Sequence, residues 1–165
     1  MRLSLTLGFH QNVRGSQITD RVVQQRRIRI WWTVYVLDRM LASKIGYPIL
    51  IRHDDIEVDL PSDAGLSKEQ KEDFVEADYL TASVQLARIA GRIVSTLYSR
   101  KRLPETFTRR VQTVFKDLTE WFATLPENLA MRPEKACGQA ARRILSLHLA
   151  FNQVRHLRIT ESDLH

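Results

Sequence analysis

Between Ile28 and Leu41, ten of fourteen residues are apolar: Ile28, Ile30, Trp31, Trp32, Val34, Tyr35, Val36, Leu37, Met40 and Leu41. On a helical wheel they occupy almost every side, and a helix apolar all round is expected to be buried. Asp20 stands where an N-cap is needed, and Gly46 and Pro48 give the usual punctuation after a helix end. The spacing therefore predicts a helix from about Arg21 to Ser43. Asp38 and Arg39 interrupt the apolar run. A charge in such a place must find a partner or bear a large desolvation cost.

Helical periodicity dominates the remainder, and no stretch alternates with period two between hairpin turns. The predicted fold is all-α: several long antiparallel helices, a fragment of a larger helical domain with residues 1–165 as one region. Residues 47–66, with several Asp, Glu57 and Pro61, read as an ordered acidic loop. Ser67 with Gln70 three residues on is a capping-box signature. The helical pattern that follows runs to about Arg102 without proline. Some ~34 residues of helix would be ~50 Å long, more than the ~40 Å diameter of a compact domain of this size. The segment is therefore expected to break before Leu80, or to belong to a body larger than this chain. Ser83, Ala87, Gly91 and Ser95 form a stripe of small residues that lets another helix approach closely. An amphipathic pattern over Phe107, Val111, Val114, Phe115, Leu118, Trp121, Phe122 and Leu125 ends at Pro126. A further helix is predicted from Ala136 to about Arg158, with Ile144, Leu145, Leu147, His148, Phe151 and Val154 in or near its apolar face.

Charge is laid out in blocks. Residues 1–53 carry nine basic and two acidic side chains (+7), residues 54–79 two and ten (−8), and residues 80–165 fourteen and seven (+7). The overall excess of base invites a nucleic-acid reading. The basic residues are scattered over several segments, however, and the acidic block is expected to neutralise its neighbours within the fold. Arg26, Arg27 and Arg29 are accordingly expected to bridge to acids, with residues 54–59 as the nearest candidates, and Arg100, Lys101 and Arg102 to sit at a helix C-terminus. One cysteine, Cys137, excludes a disulfide framework and a multi-cysteine zinc cluster within these residues. The longest apolar run is far short of the ~20 residues a membrane span needs. Met1–Phe9 is too short and too polar at its flank for a signal peptide, so a reducing compartment, cytosol or nucleus, is expected.

Catalytic signatures are weak. His53, Asp54, Asp55, Glu57 and Asp59 are the nearest approach to a metal motif, and aspartate-rich motifs hold magnesium in all-α prenyl-diphosphate enzymes. Those motifs place carboxylates at i, i+1 and i+4 on a helix, whereas position 58 is Val58 and the segment reads as loop. His148 and His156 lie eight apart, the wrong spacing for a helical zinc pair, and His148 reads as a hydrogen-bonded core histidine. Neither a phosphate-binding glycine loop nor a nucleophile elbow is present.

One ordered set of residues is specific. Arg27-x-Arg29-x-Trp31-Trp32, Tyr35, Leu37-Asp38-Arg39, Gly46-x-Pro48, Ile51, Asp54-x-Ile56 and Leu60-Pro61 resemble the middle homology region of fungal zinc-cluster transcription factors. Leu7-Gly8-Phe9-His10 before the block, Leu86-Ala87-Arg88-Ile89 with Gly91 and Leu97-Tyr98 after it, and Trp121, Leu125-Pro126 and Leu147-His148 further on extend the likeness over roughly residues 7–158. Departures are Gln25 where the family often has an acid, Ile28 within the usual arginine run, Tyr47 for the common arginine before the proline, and Arg158-Ile159-Thr160 at the end. The resemblance implies a non-catalytic regulatory region of a nuclear factor that controls transcription by RNA polymerase II, with intramolecular or homodimer contacts and a small-metabolite effector. It implies no cofactor in this chain; zinc and DNA contact would belong to an N-terminal six-cysteine cluster outside these residues, and the chain would be a truncated product or fragment. Arg27, Arg29, Trp31, Trp32, Tyr35, Asp38, Arg39, Gly46, Pro48, Asp54, Ile56 and Pro61 are its signature positions. Asp38 and Arg39 are expected to tie the core helix to the Gly46–Pro61 loop. The rival readings are a free-standing helical interaction module and, more remotely, the magnesium enzyme.

Overall fold

The computed structural model describes residues 1–12, 20–45, 47–97, 104–130 and 138–155. Gly46, Tyr98, Arg100, Lys101, Arg102, Cys137, His156 and the Arg158–Thr160 departure lie outside the described residues. Six helices follow one another among those described: α1 (Arg2–Thr6), α2 (Arg21–Ile45), α3 (Lys68–Glu72), α4 (Ala77–Thr96), α5 (Phe107–Ala123) and α6 (Gly138–Arg155). Single 3-10 turns occur at His53–Asp55 and Glu127–Leu129. No strand occurs among the described residues, and the fold is all-α.

Local signals act where the sequence places them. The Asp20 carboxylate accepts from the Val22 amide at 2.8 Å and starts α2. Ser67 and Gln70 form the reciprocal capping box of α3. The long helical pattern breaks over residues 73–76, before Leu80, and α4 begins at Ala77. Gly8, at φ +65°, closes α1 in a Schellman turn, with Phe9 N–H donating to Ser4 O and Gly8 N–H to Leu5 O.

The centre of the molecule is α4 rather than α2. One face of α4 (Leu80, Val84, Ala87) packs with Ile28, Trp31, Trp32 and Tyr35 of α2. Its other faces (Ala82, Leu86, Ile89, Ala90, Ile93) pack with Val114, Leu118 and Trp121 of α5 and Leu147 and Val154 of α6. The indole N–H of Trp121 donates to Ala82 O at 3.0 Å, and its ring stacks on Phe151. His148 is buried and its Nε2 donates to Leu129 O at 3.1 Å, a core histidine as expected.

α2 departs from the expectation of burial on every side. Ile30, Leu37 and Leu41 are 44–56% exposed, while Trp31, Trp32 and Tyr35 on the other sides are essentially sealed. A wheel counts apolar residues but not neighbours: α2 has α4 along one flank and the acidic loop along another. Leu145, Phe115 and Phe122 likewise stay about half exposed on the outer faces of α6 and α5.

Direction is the second difference. α5 runs against α4, pairing Arg92 with Asp117 and Ala82 with Trp121, and Phe122 of α5 lies against His148 and Phe151 of α6. α2 and α4 instead point the same way: Arg29 donates to Val75 O near the start of both, and Arg39 abuts Gly91 near their ends. The acidic loop makes this possible by carrying the chain back along α2 before α4 begins.

Gly91 is where α2 and α4 meet most closely. A Cβ there would lie 2.9 Å from Arg39 Cδ, and Arg39 is only 1% exposed. Replacing a mid-helix glycine by alanine ordinarily stabilises by ~1 kcal/mol. Gly91→Ala is therefore expected to lose that gain and lower stability in urea denaturation, whereas in an Arg39→Ala background the same change is expected to stabilise.

Candidate functional site

One stripe of α2 holds the acidic loop by its backbone. The stripe is Arg21, Gln25, Arg29, Trp32, Tyr35 and Arg39, spaced by three or four residues so that all six share a helix face. Arg21 Nε donates to Ala64 O at 3.2 Å, and Gln25 Oε1 accepts from the Ser62 amide at 3.0 Å. Arg29 donates to Ser62 O and Val75 O and pairs with the Asp63 carboxylate, with its guanidinium over the Phe74 ring. Trp32 Nε1 donates to Asp59 O at 2.7 Å, the Tyr35 hydroxyl meets His53 Nδ1 at 3.3 Å, and Arg39 donates to Ile51 O. Along the helix from 21 to 39 the loop partners run from 64 down to 51, so the loop lies antiparallel to α2 over ~27 Å.

A second strip of chain braces the loop from outside. Gly8 O accepts from Arg27 at 2.6 Å, and the Arg27 guanidinium sits 4.6 Å from the centre of the Phe9 ring. The Glu57 amide donates to His10 O, the Asp59 amide donates to Asn12 Oδ1, and the His10 ring lies against Trp31. The turn that ends α1 thus binds α2 on one side and the loop on the other.

Most signature residues meet in this assembly. Arg27, Arg29, Trp31, Trp32, Tyr35 and Arg39 face the loop, its brace or α4; Pro61 is buried, and Ile56 is partly buried against the tryptophan cluster. Pro48 and Asp54 are exposed. Two expectations are corrected. The acid that pairs with Arg29 is Asp63, not one of residues 54–59, because the returning loop reaches the level of Arg29 only at residues 62–63; Asp54 pairs with Arg52 on the loop itself. Arg27 reaches carbonyls rather than an acid. Of the Asp38–Arg39 couple only Arg39 contacts the loop; Asp38 pairs with Arg39 at 2.6 Å and balances its charge. Sequence reasoning missed Arg21, Gln25 and Asp63. The first two were legible as the i−4 and i−8 positions before Arg29, whereas nothing in the sequence distinguishes Asp63 from its acidic neighbours.

The electrostatics follow from burial. Desolvation raises the Tyr35 hydroxyl above its ordinary 10, with Arg39 pulling the other way. Desolvation, assisted by the positive charges of Arg88 and Arg39, holds His53 below its ordinary 6.5, while Asp54 opposes them. Among the described residues no group of three His, Cys, Asp or Glu is placed to hold a metal ion, and no helix is long and apolar enough to cross a membrane.

The model of the fungal specific transcription factor domain matches residues 1–123. The chain is 26% identical over 137 residues, 78% of its length, to the transcriptional activator protein acu-15 of Neurospora crassa. It is 26% identical to activator of stress genes 1 of Saccharomyces cerevisiae over 93% of its length, and 29% identical to an ABC-transporter-regulating transcription factor of Aspergillus fumigatus over 90%. It spans only 15–17% of the length of these relatives. No solved structure matches it.

Arg39 and Asp38 have side chains 2% and 14% exposed. Arg39→Ala strands the Asp38 carboxylate and is expected to lower unfolding free energy by ~3–5 kcal/mol. In Asp63→Asn the amide oxygen can still accept from Arg29, which keeps Ser62 O and Val75 O, and water reaches the pair on the Asp63 side, where the side chain is 38% exposed; the expected cost is ~1 kcal/mol. Both are read from urea midpoints at constant slope. Because folding depresses the His53 pKa, the folded state binds its proton less readily than the unfolded one. Its contribution to stability is present above about pH 6.5 and lost as pH falls through the lower folded value. His53→Gln is expected to flatten that acid limb in denaturation curves taken from pH 7.5 to 5.

Proposed function

The chain belongs to the fungal specific transcription factor domain family, and from that membership we propose that it is a non-catalytic regulatory region of a nuclear transcription factor. The parent factor acts in transcription by RNA polymerase II, and DNA and zinc are met by another part of it. With Cys137 alone, these residues cannot supply a six-cysteine cluster. Contacts to the rest of the factor, within one molecule or across a homodimer, carry the signal, and a small metabolite is the effector.

The observation that carries this reading is the use made of the polar side chains. Arg21, Gln25, Arg29, Trp32 and Arg39 each direct a side-chain donor or acceptor at main-chain atoms of a single loop. A catalytic constellation would converge instead on one point where a reacting atom sits. A loop held through its backbone by many bonds has one well-defined docked arrangement, and such an element is what a regulatory equilibrium needs.

The test is a reporter experiment in the parent factor, or in a fusion of this chain between a heterologous DNA-binding domain and an activation domain. Arg29→Gln, which frees one end of the loop, is compared with Leu86→Ala, a core change in α4 and α5 packing chosen for a similar loss of stability. At equal protein level, Arg29→Gln is expected to change reporter output severalfold and Leu86→Ala to change it little. Equal effects would mean that this latch, the stripe of α2 bonded to the loop, serves the fold alone.

A further inference from the structure

A cleft at the Arg39 end of the stripe carries positive charge, on Arg52, Arg88 and Arg92, that the bonds between α2 and the loop do not use. It encloses about 400 Å³ between the start of the loop and the C-terminal half of α4, with Tyr35 and Arg39 at its floor and Arg52, His53, Arg88 and Arg92 around it. Four arginines thus line one cavity, against a single lining carboxylate, Asp54. Arg39 is balanced from outside the lining by Asp38, and Arg92 by Asp117. Arg88 has no carboxylate partner among the described residues. It lines the same hollow as His53 and Tyr35, and its positive charge acts to lower the pKa of both. A concave wall carrying one sign of charge concentrates potential and favours a counter-ion of opposite sign.

We propose that this cleft binds a small organic anion through a carboxylate or phosphate group, with Arg88 and Arg52 as its principal ligands. Arginine suits the task because its planar fork meets two oxygens at once. Arg52 is free to turn to the anion: its pairing with Asp54 joins side chains 78% and 76% exposed, and such pairs hold weakly. Arg92 keeps donors available beyond the one directed at Asp117. The Tyr35 hydroxyl and the His53 ring, which meet each other at 3.3 Å, also line the cleft. Arg52 stands on the loop and Arg88 on α4, so an anion between them ties the loop to the central helix beside the Arg39 end of the stripe. The inference rests on the regulatory reading only in making the anion an effector.

Calorimetric titration of the 165-residue chain at constant ionic strength tests the site, with citrate and inorganic phosphate as probes and glycerol as the neutral control. Saturable binding of at least one anion is expected, and whichever binds identifies the head group. Arg88→Gln is expected to weaken it ~10- to 100-fold, and Arg52→Gln, at an exposed loop position, to do so without touching a helix. Arg26→Gln removes the same charge from an exposed position outside the cleft and is expected to leave affinity unchanged. No binding of either anion, or an equal loss in Arg26→Gln, overturns the proposal. Binding that depends on Arg88 but leaves the reporter unmoved would uphold the site and overturn its role as an effector site.

Discussion

An irregular segment that lies against a protein core must have its peptide groups satisfied, since a buried N–H or C=O without a partner costs as much as a lost hydrogen bond. Residues 51–64 have no helix or sheet of their own to do this beyond one 3-10 turn. Their partners are side chains of α2, taken in order along one stripe, and, from the strip that follows α1, the His10 carbonyl and the Asn12 side chain. Guanidinium groups are suited to this because they are always charged and offer five donors, so one arginine serves two or three carbonyls. Arg29 serves Ser62, Val75 and the Asp63 carboxylate together.

The direction of the helices follows from that arrangement. A loop pinned along α2 returns the chain to the level where α2 began, and α4 then starts beside Arg29 and rises with α2 rather than against it. α4 becomes the one helix with neighbours on nearly every side, which fits its alanines and Gly91 and the amphipathic character of its partners. Gly91 joins the two halves of the structure: the space left by its missing side chain holds the stem of Arg39, whose head holds the loop at Ile51. Packing between α2 and α4 and the position of the loop are therefore one constraint.

Much of this was legible in the sequence where the signal is local. The Asp20 cap, the Ser67–Gln70 box, the break before Leu80 and the burial of Trp31, Trp32 and Tyr35 all follow from short-range chemistry. What was not legible depends on neighbours. Periodicity marks Ile30, Leu37 and Leu41 as apolar but cannot say that no described element covers them. Arg29 needs an anion, and the choice of Asp63 over Asp54, Asp55 or Asp59 is made by the path of the loop. The family likeness singled out most of the latch, because Arg29, Trp32, Tyr35 and Arg39 lie within its most specific block. It passed over Gln25, which departs from the family pattern yet accepts the Ser62 amide.

α2 and the acidic loop form one cooperative unit joined largely by bonds between side chains and main chain. Native-state hydrogen exchange on the intact chain tests this cooperativity most directly, through the amides of Glu57, Asp59 and Ser62, which donate to His10, Asn12 and Gln25. These amides are expected to open with the same free energy as those in the middle of α2 and the same dependence on denaturant. Exchange at the rate of an unprotected loop, while α2 stays closed, would contradict it.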